Sequence, residues 1–94
     1  PEWGYRAALR TLQNYNRVHR LTTIREWINR WAPPCENPTE NYLEFVCDKV
    51  GMPADACPRI SNKTIMCNIV AAMSHFENGV PAVIEDVHKG WELL

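Results

Sequence analysis

A chain of 94 residues with Lys+Arg 10 against Asp+Glu 11 suits one small domain with a single hydrophobic core, and is too short for a deep cleft between two lobes. Its formal net charge of -1 lacks the basic excess with which nucleic-acid binders hold phosphates, so nucleic acid is not an expected partner. The longest apolar run, Ile69-Val70-Ala71-Ala72-Met73, falls far short of the roughly 20 residues that cross a bilayer, so no membrane span is expected.

From Glu2 to about Val18, the residues Tyr5, Ala8, Leu9, Leu12 and Tyr15 recur at steps of three and four. Arg6, Arg10, Gln13 and Arg17 stand between them, the pattern of an amphipathic helix with a solvated basic side. Thr23-Ile24-Arg25-Glu26 then has the form of a capping box, in which the Thr hydroxyl and the Glu carboxylate exchange hydrogen bonds with each other's backbone amides. The helix it starts carries Ile24, Trp27, Ile28 and Trp31 on one face and must stop at Pro33-Pro34, which lack amide donors. Asn37-Pro38-Thr39-Glu40 predicts a third helix from about Pro38 to Val50, with Asn37 as N-cap, Pro38 at the first helical position and Glu40 completing the cap. Tyr42, Leu43, Phe45 and Val46 are its expected buried face, and Gly51 its left-handed end.

Met52 to Ile60, with Pro53, Asp55 and Pro58, reads as a loop. Ser61 or Asn62 caps a fourth, central helix through Ile65, Ile69, Ala72, Met73 and Phe76, which Asn78-Gly79 closes. A last helix follows Val80-Pro81 with Val83, Ile84, Val87, Trp91 and Leu94, and Gly90 inside it points to close packing or a bend. No segment alternates with period two. The expected fold is all-α: one domain over residues 1–94, a compact irregular bundle of about five short helices.

The four cysteines, at 35, 47, 57 and 67, are loosely spaced without a Cys-x-x-Cys pair, and His19, His75 and His88 are scattered, so no metal site is expected. Free buried thiols and disulfides both remain open, with Cys67 as a core thiol and Cys47 with Cys57 as the pair to form if any does. Nothing indicates a cofactor. Ser74 and His75 are helix neighbours whose side chains diverge, which excludes a nucleophile–base pair.

The dense stretch RWAPPCENPTENYLEFV holds the remaining candidates. Glu36 lies beside Pro34 and Cys35 between an indole-bearing and a phenol-bearing helix, the setting that suits a glycosidase acid, although a turn glutamate commonly orders its own loop. Glu26 and Glu40 have capping roles, and Glu77, at the end of the apolar central helix, reads as structural, with His75 or a lysine as available partners. Trp27 and Trp91 read as core; Trp31 and Tyr42 flank the loop, where a flat ring with a polar edge can stack on a sugar.

The runs YRAALRTLQNY, LTTIREWINRWAPPCENPTENYLEFV, GMPAD and AAMSHFENGVPAVIEDVHKGWELL together resemble the C-terminal part of a lysozyme-like family of phages, prophages and related mobile elements, usually called virion or structural proteins. The layout is more distantly similar to peptidoglycan N-acetylglucosaminidases of the flagellar-muramidase type. There Trp31-Ala32 stands near an aromatic loop position, with Trp in place of Tyr, and Tyr42 near a helix tyrosine. The segment corresponding to the catalytic Glu of those enzymes has no counterpart here. The resemblance implies a lysozyme-like helical lobe, the C-terminal portion of a longer protein, virion-associated or extracytoplasmic and acting on or near peptidoglycan. Trp31, Glu36, Asn37 and Tyr42 would form one wall of a glycan cleft, with any catalytic acid supplied from upstream. The alternative it carries is a noncatalytic virion or secretion-apparatus module that packs against a protein partner.

Overall fold

The computed structural model describes all 94 residues and contains five helices: α1 Glu2–Arg17, α2 Ile24–Trp31, α3 Thr39–Val50, α4 Lys63–Asn78 and α5 Ile84–Glu92. There are no strands, so the all-α expectation holds. The apolar positions read from the sequence converge on one core. Leu9, Leu12, Ile24, Trp27, Ile28, Val46, Met66, Cys67, Ile69 and Val87 are fully enclosed. α4 supplies the most buried residues and packs against α1, α3 and α5, which makes it the central helix. No helix is long and apolar enough to cross a membrane.

α2 begins as its sequence predicts. Thr23 Oγ1 accepts from the Glu26 amide at 3.1 Å, and Glu26 Oε1 accepts from the Thr23 amide at 3.1 Å. Two further amides of the first turn, which have no partners within a helix, are taken up by the loop that follows α3: Ile24 N donates to the Ala56 carbonyl and Arg25 N to that of Ala54. The Arg25 guanidinium adds an ion pair to Asp55 at 3.0 Å. Residues 52–62 therefore act as a strap over the start of α2. At the helix's other end Pro33 follows Ala32, and Trp31 is left half-buried at the rim while Trp27 on the same face is enclosed.

The start of α3 corrects the sequence reading. Asn37 does not cap it; Pro38 stands at that position, and no side chain caps the helix. The Asn37 amide instead donates to the Pro33 carbonyl, and its own carbonyl accepts from Thr39 N at 2.9 Å. The buried hydroxyl of Thr39 turns back to donate to the Ala32 carbonyl at 2.5 Å. A tertiary bond across the turn thus replaces the local cap, and it ties the end of α2 to the start of α3. Glu40, released from capping, lies 3.7 Å from Arg25 Nη1. All four cysteines are thiols: Cys67 is buried as expected, and Cys47 and Cys57 are not joined.

α5 crosses α1 with backbone against backbone. A Cβ on Gly90 would sit 2.8 Å from Arg6 N, 2.9 Å from Glu2 O and 2.9 Å from Tyr5 Cβ, so only glycine permits this approach. Close packing, rather than a bend, is what Gly90 provides.

Candidate functional site

Two of the aromatic residues singled out in the sequence meet on one acid. Trp31, the last residue of α2, donates its indole N–H to Glu77 Oε2 at 3.1 Å, and Tyr42, in the first turns of α3, donates its hydroxyl to the same oxygen at 2.6 Å. The Tyr42 ring is buried, lies 4.4 Å from the Phe76 ring and sits at the head of an aromatic row that continues to Phe45 and His75. Burial, and then the Glu77 carboxylate beside it, push the Tyr42 phenol far above its usual range, so it is a neutral donor at any ordinary pH. Glu77 Oε1 has no protein partner.

Glu77 takes its partners from α2 and α3 rather than from His75 or a lysine; the His75 ring packs edge-on against Phe45. Its position is unfavourable for a helix. It lies in the last turn of α4, where the partial negative charge of the helix end repels a carboxylate. The indole and phenol donors offset that repulsion, but a neutral residue would have avoided it. The Trp31–Glu77–Tyr42 triad therefore sets a carboxylate where its own helix dipole opposes it, while tying the end of α2 and the start of α3 to the end of α4; a local conflict of this kind is a pattern associated with functional positions.

Two shallow depressions adjoin the triad, and both are lined by Trp31 and Glu77. One, of about 340 Å³, is completed by Ala32, Asn37, Tyr42 and Phe76. The other, of about 250 Å³, extends along α1 and α4 past Gly4, Tyr5, Ala8, Ser74 and Asn78. In this second arm the Tyr5 hydroxyl lies 3.4 Å from Ser74 Oγ, and Asn78 Nδ2 donates to the same Oγ at 3.2 Å. The two depressions share the hydrogen-bonded Trp31–Glu77 pair as a common wall, and together they are the groove at Trp31.

Of the sequence candidates, the structure brings Trp31, Tyr42 and Asn37 to this groove. Glu36 is not among them. It is exposed in the 33–38 turn, its amide donates to the Pro33 carbonyl, and it lines neither depression. Its proximity in sequence to Trp31 and Tyr42 does not become proximity to their polar ends, because those point across to α4. Glu77 is the carboxylate that lines both depressions. The residue types present at the groove are a flat indole, a carboxylate, amides and hydroxyls, a set that can hold a polar ring by stacking and hydrogen bonds. No three His, Cys, Asp or Glu side chains converge anywhere in a way that would hold a metal ion.

No protein-family model matches the chain, and no solved structure matches it. The chain is 38% identical over 93 residues to Protein P5 of Pseudoalteromonas phage PM2. It is similar to a phage protein. The alignment takes in 98% of this chain but 56% of that protein, so the chain spans little more than half the length of the curated relative it matches.

Proposed function

We propose that this domain is a phage-associated, lysozyme-like module that acts at the cell wall by binding a peptidoglycan glycan strand in the groove at Trp31, and that it does not carry the catalytic acid of a glycosidase. The observation that supports this most is the Trp31 indole. It is half-buried at a helix end, and its N–H is held by a carboxylate that opposes the dipole of its own helix. Such a ring keeps one orientation at the rim, which lowers the entropy lost when a sugar stacks on it.

Catalysis by these residues is disfavoured on chemical grounds. Glycosidases use two carboxyl groups, or one with assistance from the substrate, and their general acid must present a proton to the leaving oxygen. Glu77 is the only carboxylate lining either arm of the groove, and both of its protein partners donate to it. It is arranged to accept hydrogen bonds. Any acid that breaks a glycosidic bond would come from other parts of a longer protein.

The test is cosedimentation of the purified domain with peptidoglycan sacculi, together with an assay for released muropeptides. Binding without release is expected, and Trp31→Ala should abolish binding while the domain stays folded; a wild-type domain that ignores sacculi would end this reading. A second reading, a structural module that docks on another virion protein, draws on the exposed apolar residues Trp3, Val80 and Val83, which are 65%, 62% and 57% accessible. Under that reading Trp3→Ala should impair particle assembly, and Trp31→Ala should not.

A further inference from the structure

We infer that the turn between α4 and α5, with the depression beside it, docks a protein segment that carries an acidic side chain next to an apolar one. This rests on the second reading above, docking on another virion protein, and is independent of the groove at Trp31. The turn is apolar where it is exposed. Val80 and Val83 stand out into solvent, and Pro81 and Ala82 between them line a depression of about 290 Å³ against α3 and α4. The polar lining of that depression is Lys49, Asn68 and His75, and no carboxylate contributes to it. None of these three side chains is hydrogen-bonded or ion-paired within the chain. An ammonium can only donate, and the amide and imidazole add N–H donors, so the group that complements this wall is a carboxylate.

The helices place these donors together. Asn68 and His75 lie two turns apart on α4 and so share one face, while Lys49 comes from the last turn of α3. One ring holds two of the three: His75 stands edge-on to Phe45 at 5.0 Å, and Lys49 Nζ lies 5.5 Å from the centre of the same ring. Val83 supplies the apolar half of the argument. It is the N-cap residue of α5 and makes no side-chain cap bond, at a position where Ser, Thr, Asp or Asn would stabilise the helix and suit the solvent better. An exposed valine there serves neither the helix nor solubility. Contact with an apolar side chain of a partner gives it a use, and continuity with the basic depression puts that contact beside the carboxylate.

The experiment is an amide-resolved NMR titration of the full chain with three model peptides of about ten residues, taken to millimolar concentration: one combining Glu with Leu, one Lys with Leu and one Glu with Ser. The Glu/Leu peptide should shift the amides of Lys49, Asn68, His75 and residues 80–84, and should bind more tightly than either of the others. Lys49→Glu should weaken that binding about fivefold or more. Val83→Ser should weaken it by a similar factor while melting no lower than the wild type, because it supplies the missing cap. Absence of shifts with the Glu/Leu peptide, shifts centred elsewhere, equal binding of a control peptide, or unchanged affinity in both variants would overturn the inference. Particle assembly separates it from the reading beneath it. Assembly impaired by Trp3→Ala but not by Val83→Ser would overturn this face alone, and assembly impaired by neither would overturn the docking reading with it.

Discussion

The α1–α5 seam and the Trp31 groove both join residues far apart in the chain, yet they are built on opposite terms. At the seam packing sets the geometry: Gly90 lets the α5 backbone reach Arg6 and Glu2, Arg6 Nε donates to the Leu93 carbonyl at 2.9 Å, and Val87 is fully enclosed. At the groove an aromatic ring is left half-exposed, a carboxylate is set against a helix dipole, and one of its oxygens is left to solvent. On the proposed glycan reading, the seam residues specify the structure, whereas Trp31 and Glu77 serve a ligand. Substitutions at the seam should therefore act on stability, and substitutions at the groove on binding.

The largest effect that would break this distinction is at Gly90. Gly90→Ala should lower unfolding free energy by about 1–3 kcal/mol, because the added methyl meets α1 backbone at under 3 Å, and this overrides the ~1 kcal/mol by which alanine is the better helix former. Gly4→Ala, with open space around its Cβ, should be neutral or stabilising by up to ~1 kcal/mol. Urea denaturation of the two variants gives the comparison directly, and a stabilised Gly90→Ala would mean that the helices do not approach as described.

Next in size is Thr39→Val, which leaves the Ala32 carbonyl without its hydroxyl partner at a buried position and should cost about 1–2 kcal/mol. Because that bond holds the turn between Trp31 and Tyr42, sugar affinity should fall with it. Glu77→Gln should behave in the reverse manner. Its unfolding free energy should change by less than ~0.5 kcal/mol, or rise, since it removes a charge from the wrong end of a helix, while glycan binding weakens. The smallest effect concerns pH. Backbone amides of Thr22 and Thr23 hold the Glu26 carboxyl below the usual carboxylate range in the folded state. A depressed folded pKa contributes stability above the unfolded value, and that contribution is lost as pH falls through the folded one. Between about pH 5 and pH 3 the wild type should accordingly lose stability more steeply than Glu26→Gln, as followed by thermal melts.

Much of the frame could be read from residue order alone because its determinants are local. Thr23 and Glu26 start α2 through contacts within one turn, Gly51 and Gly79 end α3 and α4 in the left-handed conformation, and apolar spacing marks the buried faces. The start of α3 was not legible in this way. Asn37-Pro38-Thr39-Glu40 satisfies a local capping pattern, but the Thr39 hydroxyl finds a better partner seven residues back, and Asn37 is left lining the depression beside Trp31. Within the site, Trp31 and Tyr42 stand out as aromatics that a turn does not require. Glu77 does not, since its partners are 46 and 35 residues away and no local spacing links them. The one signal it gives is an acid in the last turn of a helix. Glu36 drew attention for the opposite reason: it is crowded by conspicuous neighbours in sequence, and the chain turns those neighbours away from it.

The central claim is that Trp31 serves a ligand and not the fold. Cosedimentation with peptidoglycan sacculi tests it most directly, comparing the wild-type domain with Trp31→Ala after both are shown to melt cooperatively. The wild type should pellet with the sacculi and the variant should stay in the supernatant. Equal partitioning of the two proteins, whether into the pellet or into the supernatant, would contradict it.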